Sequence, residues 1–267
     1  MGRPLENRSL DRGLQILNSL SVNGASSLQD LHTHTKLPKS TIRRLLGTLI
    51  QHKIVRRSLS DRLYRANISL PIQTRRGSAL REGQLIDCAL PHMIELTRSI
   101  GWSCDLHMFQ RTRSRIVEST RPLSPFFQYE RQIDLEVPVF ASAAGLAVLS
   151  TWQENAVLAL VDEIGDDPHW GLSRLGMTKR SLLSVLKQVR TNGYSMRVPE
   201  YRGQSALANT LTAIARPVFR GPNAVGALVL LWPKGYLAHD RFAELHLPRL
   251  QEAASAASTD LSQLDQG

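Results

Sequence analysis

The stretch Leu37-Pro-Lys-Ser-Thr-Ile-Arg-Arg-Leu-Leu-Gly-Thr-Leu-Ile50 has apolar residues at the spacing of one helical face. Starting at Ile42, they recur at i, i+3, i+4, i+7 and i+8, which is typical of a helix with one buried side. The opposite face carries Ser40, Arg43 and Arg44. Guanidinium groups and a small hydroxyl suit the base edges and phosphates of a DNA groove. The stretch therefore predicts either a DNA-reading helix or the solvated side of an ordinary helical bundle.

Two helical segments precede this stretch. The first runs from about Ser9 to Ser21, with a leucine at every third or fourth position, and Asn23-Gly24 ends it. A short second segment begins at Ser27, with Asp30 at the spacing of a capping box. A helix, a short helix, a tight turn and a third helix predict a helix-turn-helix.

A hairpin is predicted directly after the third helix. Residues 54–58 and 63–66 alternate like strands, and Ser60-Asp61 forms a polar turn between them. Arginines at positions 56, 57, 62 and 65 are spread along the hairpin, as expected of a wing on the DNA backbone. The hairpin favours a winged helix-turn-helix over a plain bundle.

The net charge of the chain is concentrated at its beginning. Residues 1–76 carry 14 Lys and Arg against 4 Asp and Glu, whereas residues 77–267 carry 19 of each sign. A basic module beside a neutral one indicates that the first part meets phosphate. The charge alone would also fit an anionic membrane surface or a disordered arm.

The expected location is cytoplasmic. No apolar run approaches the length of a membrane span, and residues 1–6 lack an apolar signal segment. Cys88 and Cys104 are too few for a disulfide framework and lack metal-ligand spacing.

The remainder of the chain alternates helices with strands. Ala213–Phe219 and Ala224–Trp232 are strong strands, separated by the hairpin signal Gly221-Pro-Asn223. Helical segments are expected near 85–100, 141–151, 178–192 and 239–258, with Pro91 kinking or dividing the first. A mostly antiparallel sheet with helices is the α+β solution. We expect a DNA-binding domain over 1–70, a partly helical linker over 71–84 and a second domain over 85–267.

A ligand pocket is predicted at the start of the helix near residue 142. Ser142, Ala143 and Ala144 are small, so a ligand could approach the backbone, and the N–H groups of a first helical turn favour a carboxylate. The candidate apolar walls are Leu135, Val137, Ile214, Leu228 and Leu230. The alternative is that the small residues simply let this helix pack closely on the sheet.

The sequence resembles the IclR family of transcriptional regulators over its full length. The resemblance is carried by Arg8–Leu17, Leu37–Leu46, Val55-Arg-Arg57 and Tyr64-Arg65, and continues through Val137–Leu149, Asn192–Ser195 and Ala213–Val218. It implies that Lys39, Ser40, Thr41, Arg43 and Arg44 open a recognition helix. It also implies a GAF-like second domain that binds a small metabolite and oligomerises. Lys53 stands where the family usually has a glycine.

Within the family, three further segments most resemble activators of phenylpropionate-type aromatic catabolism. They are Asp105 after Trp102, Tyr201-Arg-Gly203 and Phe126–Tyr129. This resemblance implies an aromatic carboxylic acid as effector.

A search for catalytic chemistry finds no nucleophile elbow, phosphate-binding loop or His-Glu-x-x-His motif in the sequence. His32 and His34 are two residues apart, so on a helix their rings diverge by about 200°. Cys104 and His107 would face opposite sides of a strand, and the acidic residues near Gly165 favour a solvated loop. We therefore expect no catalytic residue, no metal and no cofactor.

The resulting hypothesis is a one-component transcription regulator controlled by a carboxylic acid. Its partners would be double-stranded DNA with an inverted repeat, a second copy in a dimer or tetramer, and RNA polymerase if it activates. The residues expected to contact DNA are Lys39, Ser40, Thr41, Arg43, Arg44, Arg56, Arg57 and Arg65. An architectural or RNA-binding protein with a structural second domain, and a sensor-fused nucleic-acid enzyme, stay open as alternatives.

Overall fold

The fold is taken from a computed structural model that describes residues 7–67, 78–126, 132–199, 201 and 209–264. The chain divides into two compact units, Met1–Gln84 and Leu85–Gly267.

The first unit consists of three helices and a two-stranded hairpin. The helices are α1 (Arg8–Asn23), α2 (Leu28–Thr35) and α3 (Lys39–Gln51), and the strands are β1 (Val55–Arg57) and β2 (Tyr64–Ala66). The two strands pair antiparallel. One apolar cluster joins all of these elements: Ile16, Leu17, Leu20, Leu31, Leu37, Ile42, Leu46 and Val55. The winged helix-turn-helix architecture expected from the sequence is confirmed.

Local chemistry fixes the ends of these helices. At the start of α2, Ser27 Oγ accepts a hydrogen bond from the Asp30 amide at 3.1 Å, and Asp30 Oδ2 accepts one from the Ser27 amide at 2.8 Å. This is the capping box predicted from the sequence. After α3, Lys53 adopts a left-handed φ of 56°, which costs about 1 kcal/mol for a residue with a side chain. The Asn67 side chain donates to the Lys53 carbonyl at 3.1 Å and stabilises that turn.

Helix α4 (Ser78–Ile100) is longer than the sequence predicted. Its first turns occupy residues 78–84, which we had expected to be a partly helical linker, while residues 71–77 lie outside the described residues. The helix is not divided at Pro91, which lies within it.

The second unit is built on a six-stranded antiparallel sheet. Its strands are β3 (Cys104–Gln110), β4 (Arg113–Ser119), β5 (Glu136–Pro138), β6 (Ser195–Met196), β7 (Leu211–Arg220) and β8 (Asn223–Pro233). The spatial order is β5-β4-β3-β8-β7-β6, and each neighbouring pair is antiparallel. The predicted α+β class with a mostly antiparallel sheet is confirmed.

The described residues of the second unit form four further helices. They are α5 (Ala143–Leu149), α6 (Glu154–Ile164), α7 (Lys179–Asn192) and α8 (His239–Gln263). Helix α5 packs its alanines on one face of β7 and β8, and α4 and α8 pack on the other face. Helices α6 and α7 form a further layer over α5. Close packing of α5 requires Gly145, because a Cβ there would lie 2.2 Å from the Val139 carbonyl oxygen.

In the part of the chain that the structure describes, no helix is long and apolar enough to cross a membrane.

Candidate functional site

The exposed face of α3 carries most of the residues predicted to meet DNA. Lys39, Ser40, Arg43 and Arg44 are all exposed, whereas Thr41 is half-buried. On the opposite side of α3, Ile42 and Leu46 lie in the apolar core, and Leu45 and Leu49 pack against it. The helix thus presents two guanidinium groups, an ammonium and a hydroxyl on a rigid element, which can donate hydrogen bonds to phosphates and base edges.

Part of the wing is also open to solvent. Arg57 and Arg62 are exposed, and Arg57 Nε donates to the Arg62 carbonyl at 3.1 Å. The Arg57 guanidinium lies 5.5 Å from the ring centre of Tyr64. These contacts orient Arg57 while leaving its charge accessible to an anion.

Two wing arginines that the sequence assigned to DNA are buried instead. Arg56 Nη2 lies 2.7 Å from Glu82 Oε1, and the two side chains are 8% and 13% exposed. Arg65 makes two hydrogen bonds to the Asp61 carboxylate, at 3.0 and 2.8 Å. In this structure both guanidinium groups are enclosed with a carboxylate, so they are not presented to phosphate. We correct the expectation accordingly: Arg56 pairs with Glu82 and Arg65 pairs with Asp61, and neither guanidinium faces open solvent.

In the second unit, five of the predicted ligand residues line one pocket, called the inner pocket below. They are Leu135, Val137, Ser142, Ala143 and Ala144. Ser142 is the N-cap of α5, and its hydroxyl accepts from the Gly145 amide at 3.1 Å. The inner pocket therefore lies at the start of α5, beside β4 and β5.

The other three predicted residues do not line this pocket. Ile214, Leu228 and Leu230 belong to the core shared with α4 and α8. Side chains alternate between the two faces of a strand. On β8, the residues that face α5 are therefore Ala227, Val229 and Leu231. We correct the prediction of a common wall: these three residues are on the opposite face of the sheet.

Charged residues that the sequence analysis did not select as ligand residues line the inner pocket. The Asp105 carboxylate accepts from Arg121 Nη2 at 2.8 Å and Nε at 3.2 Å, and from Ser119 Oγ at 2.6 Å. This pair is enclosed, with side-chain exposures of 1% for Asp105 and 5% for Arg121. Such a pair holds the start of β3 against the segment after β4.

A second cation, Arg197, lies beside this ion pair. Its guanidinium donates to the Leu211 carbonyl at 3.1 Å and lies 4.8 Å from the ring centre of Tyr201. Burial lowers the pKa of Arg197, because a charged group is poorly solvated there. The planar guanidinium of an arginine can bind both oxygens of a carboxylate.

The pocket also contains an imidazole that is neutral at physiological pH. Burial lowers the pKa of His107 to about 4, with Asp105 acting in the opposite direction and Arg197 in the same direction. His107 Nδ1 lies 3.4 Å from Ser114 Oγ. Among the described residues that line the inner pocket, the other charged side chains are those of Arg121, Arg197 and Asp105.

A sequence signal for part of this set existed. Asp105 and His107 are two residues apart on a strand, so they share a face, and two polar residues on one face of a buried strand indicate a functional surface. Cys104, by contrast, lies on the opposite face of β3 from His107, so comparing these two residues does not reveal the pairing. Arg197 and Tyr201 follow strand β6, which has only two residues. So short a strand has no alternating sequence pattern from which these two residues could be assigned to the pocket.

The inner pocket is nearly closed. Its free space is about 20 Å³, which is room for about one water molecule. A larger ligand would have to displace lining side chains or extend beyond this space.

In the described ranges no group of three or more His, Cys, Asp and Glu could hold a metal ion. Two of the acidic residues near Gly165 have protein partners: Asp162 bonds Lys179, and Asp167 accepts from the His169 amide at 2.8 Å.

Comparison with protein families gives two matches that together span most of the chain. Residues 9–59 match the model of the IclR helix-turn-helix domain. Residues 77–262 match that of the bacterial transcriptional regulator IclR C-terminal region.

Individual relatives share less than a third of their residues with this chain. The acetate operon repressor of Salmonella typhimurium is 27% identical over 241 residues, which cover 89% of this chain and 84% of the repressor. The structure of an IclR transcriptional regulator from Alicyclobacillus acidocaldarius has a TM-score of 0.56 at 19% identity, covering 96% of this chain and 99% of that one. An IclR homologue from Microbacterium hydrocarbonoxydans, complexed with 4-hydroxybenzoate, has a TM-score of 0.52 at 23% identity, covering 95% and 98%. At these identities the solved structures support the fold.

Proposed function

Because the chain belongs to the IclR family of bacterial transcriptional regulators, we propose that α3 and the open part of the wing hold its operator and that the inner pocket receives the carboxylate of an effector. The protein is a DNA-binding regulator with an effector-binding domain. The proposal assigns those two tasks to particular residues. The observation that carries it is the pocket at the start of α5, which is lined by the guanidinium groups of Arg121 and Arg197.

For DNA, the proposal assigns base or phosphate contacts to Lys39, Ser40, Thr41, Arg43 and Arg44, and a phosphate contact to Arg57. The support is their position on one α3 face and on the exposed side of the wing. A single helix covers too few base pairs for useful specificity, so the operator would be an inverted repeat bound by a two-fold dimer.

The DNA assignment is tested by selecting a binding duplex from a random pool and measuring affinity by fluorescence anisotropy. Arg44→Ala should weaken binding about tenfold or more, because a good arginine contact to a base contributes about 1–3 kcal/mol. Arg180→Ala, an exposed arginine at the start of α7, is the matched control and should change affinity less than about twofold. Equal losses for both variants would refute the assigned face.

For the effector, the proposal is a small carboxylic acid whose anion binds next to Arg197. The support is the lowered pKa of this buried arginine and its position on the pocket wall. The relative complexed with 4-hydroxybenzoate shows that an aromatic acid can bind an IclR homologue. An aromatic acid is therefore our first choice of effector.

The effector assignment is tested by thermal unfolding against a panel of aromatic and aliphatic carboxylates. All four tryptophans lie between positions 102 and 232, so tryptophan fluorescence reports on the second unit. A ligand at about 100 times its Kd stabilises the native state by about 2.7 kcal/mol. Arg197→Met should abolish the shift, whereas Lys187→Met, on the exposed side of α7, should preserve it. A saturable shift that Arg197→Met leaves intact would contradict the assignment.

A further inference from the structure

Arg197 and Tyr201 line a second space in addition to the inner pocket. This space, called the outer groove below, lies at the end of β7 and β8 and the start of α8. Its other walls include Val198, Leu211, Thr212, Lys234, Tyr236 and Ala238. The free space in the outer groove is about 490 Å³, against about 20 Å³ in the inner pocket. Pockets that hold small organic ligands measure about 300–1,000 Å³, so the outer groove has that size and the inner pocket does not.

The walls of the outer groove are suited to an apolar body. Tyr236 is 59% exposed, and its ring is held edge-on against Trp102 at 4.9 Å. Val198 and Leu211 supply aliphatic surface from the loop after β6 and from β7. The Thr212 hydroxyl lies 2.6 Å from His239 Nε2, so these two polar groups already satisfy each other. An exposed aromatic surface in a concave site is typical of a binding groove.

Charge is present at two places in this groove. Arg197 lines both the outer groove and the inner pocket. Lys234 is exposed on the groove wall, and its amide donates to the Thr210 carbonyl at 2.8 Å. A carboxylate gains more at Arg197 than at Lys234, because attraction is stronger where water is excluded and a planar guanidinium can bind both carboxylate oxygens.

We infer that the outer groove is a second compartment of the effector site, which holds the apolar body of a carboxylic acid whose carboxylate pairs with Arg197. This inference rests on the proposed function and adds the shape of the ligand to it. The effector is then an amphipathic monocarboxylate with an aromatic or long aliphatic body. Short acids such as butyrate would occupy only the anion site.

The test compares 4-phenylbutyrate with butyrate and with neutral 4-phenylbutyramide by calorimetric titration of the full chain. The aromatic acid should bind about tenfold or more tightly than either control compound, because each control lacks one of the two interactions. Ala238→Phe should fill the outer groove and lower the ratio of the 4-phenylbutyrate to butyrate affinities by about tenfold. Ala256→Phe places the same side chain in a separate groove between α4 and α8 and should leave the ratio unchanged.

Replacing each of the two cationic residues of the groove in turn shows which of them binds the carboxylate. Arg197→Met should weaken 4-phenylbutyrate binding about tenfold or more, whereas Lys234→Met should weaken it much less. If Lys234→Met has the larger effect, the acid lies reversed and the inference is overturned.

The remaining outcomes separate this inference from the proposed function. Suppose that Arg197→Met abolishes binding but Ala238→Phe leaves the ratio of the two affinities unchanged. Arg197 then binds the carboxylate as proposed, but the outer groove does not hold the apolar part of the acid. If the unaltered protein binds none of these acids at millimolar concentration, both the acid-binding function and this inference fail. Thermal unfolding of each variant without ligand identifies any substitution that merely unfolds the second unit.

Discussion

His107 is a buried imidazole whose protonation the fold opposes. Its pKa is about 4 in the folded protein and about 6.5 in an unfolded chain. Above pH 6.5 the group is neutral in both states and costs nothing. Below that pH the unfolded chain takes up a proton that the folded chain does not, so stability is lost as the pH falls from 6.5 towards 4.

We therefore expect the second unit to lose about 2 kcal/mol of stability through His107 between pH 7.5 and pH 5. The measurement is urea unfolding followed by tryptophan fluorescence at both pH values. His107→Gln should reduce this pH dependence, because glutamine does not titrate. His169→Gln, in an exposed loop, is the control and should keep the wild-type slope. An unchanged slope in His107→Gln would show that the imidazole is solvated.

At the scale of elements, the wing separates arginines by role. Arg57 is exposed, whereas Arg65 is enclosed with Asp61, whose side chain is 2% exposed. We expect Arg57→Ala to lower the salt dependence of DNA affinity by about one unit in the log–log slope, because one phosphate contact is lost. Arg65→Ala should instead lower the unfolding midpoint of the first unit, since it disrupts a buried pair.

Anisotropy titrations at several salt concentrations and circular dichroism melts measure the two effects. If Arg65→Ala changed the salt slope with no loss of stability, Arg65 would be a phosphate contact after all.

The elements that could be predicted from the sequence are those that depend on residues close together in the chain. The face of α3 and the capping box of α2 could be predicted because they depend on residues within one or two turns. The α5 pocket was found from Ser142 and its small neighbours, and by resemblance. Ile214 was misplaced because strand alternation fixes which residues share a face but not which face meets α5.

Contacts between distant segments escaped the sequence analysis entirely. Arg121 reaches Asp105 across 16 positions, and Glu82 encloses Arg56 across 26 positions. An arginine in a basic hairpin looks the same whether it faces phosphate or a carboxylate, so only the tertiary structure separates Arg56 from Arg57.

In the whole molecule, the basic and the neutral parts of the sequence carry different candidate sites. The first 76 residues hold the net positive charge, and they contain the exposed α3 face. The neutral remainder encloses the candidate acid site. An effector regulates the operator only if it binds the DNA-bound and DNA-free proteins with different affinities.

That requirement gives a reciprocal prediction. If an acid changes operator affinity by a factor α, operator DNA must change the affinity for the acid by the same factor, and typical factors are about 5–150. Calorimetric titration of the acid into the free protein and into the protein saturated with operator measures this directly. Arg44→Ala, which we expect to impair DNA binding, should bind the acid like the free wild-type protein whether or not operator is present at moderate concentration. Identical acid affinities for the free and operator-bound wild type would mean that the acid does not control DNA binding, however tightly it binds.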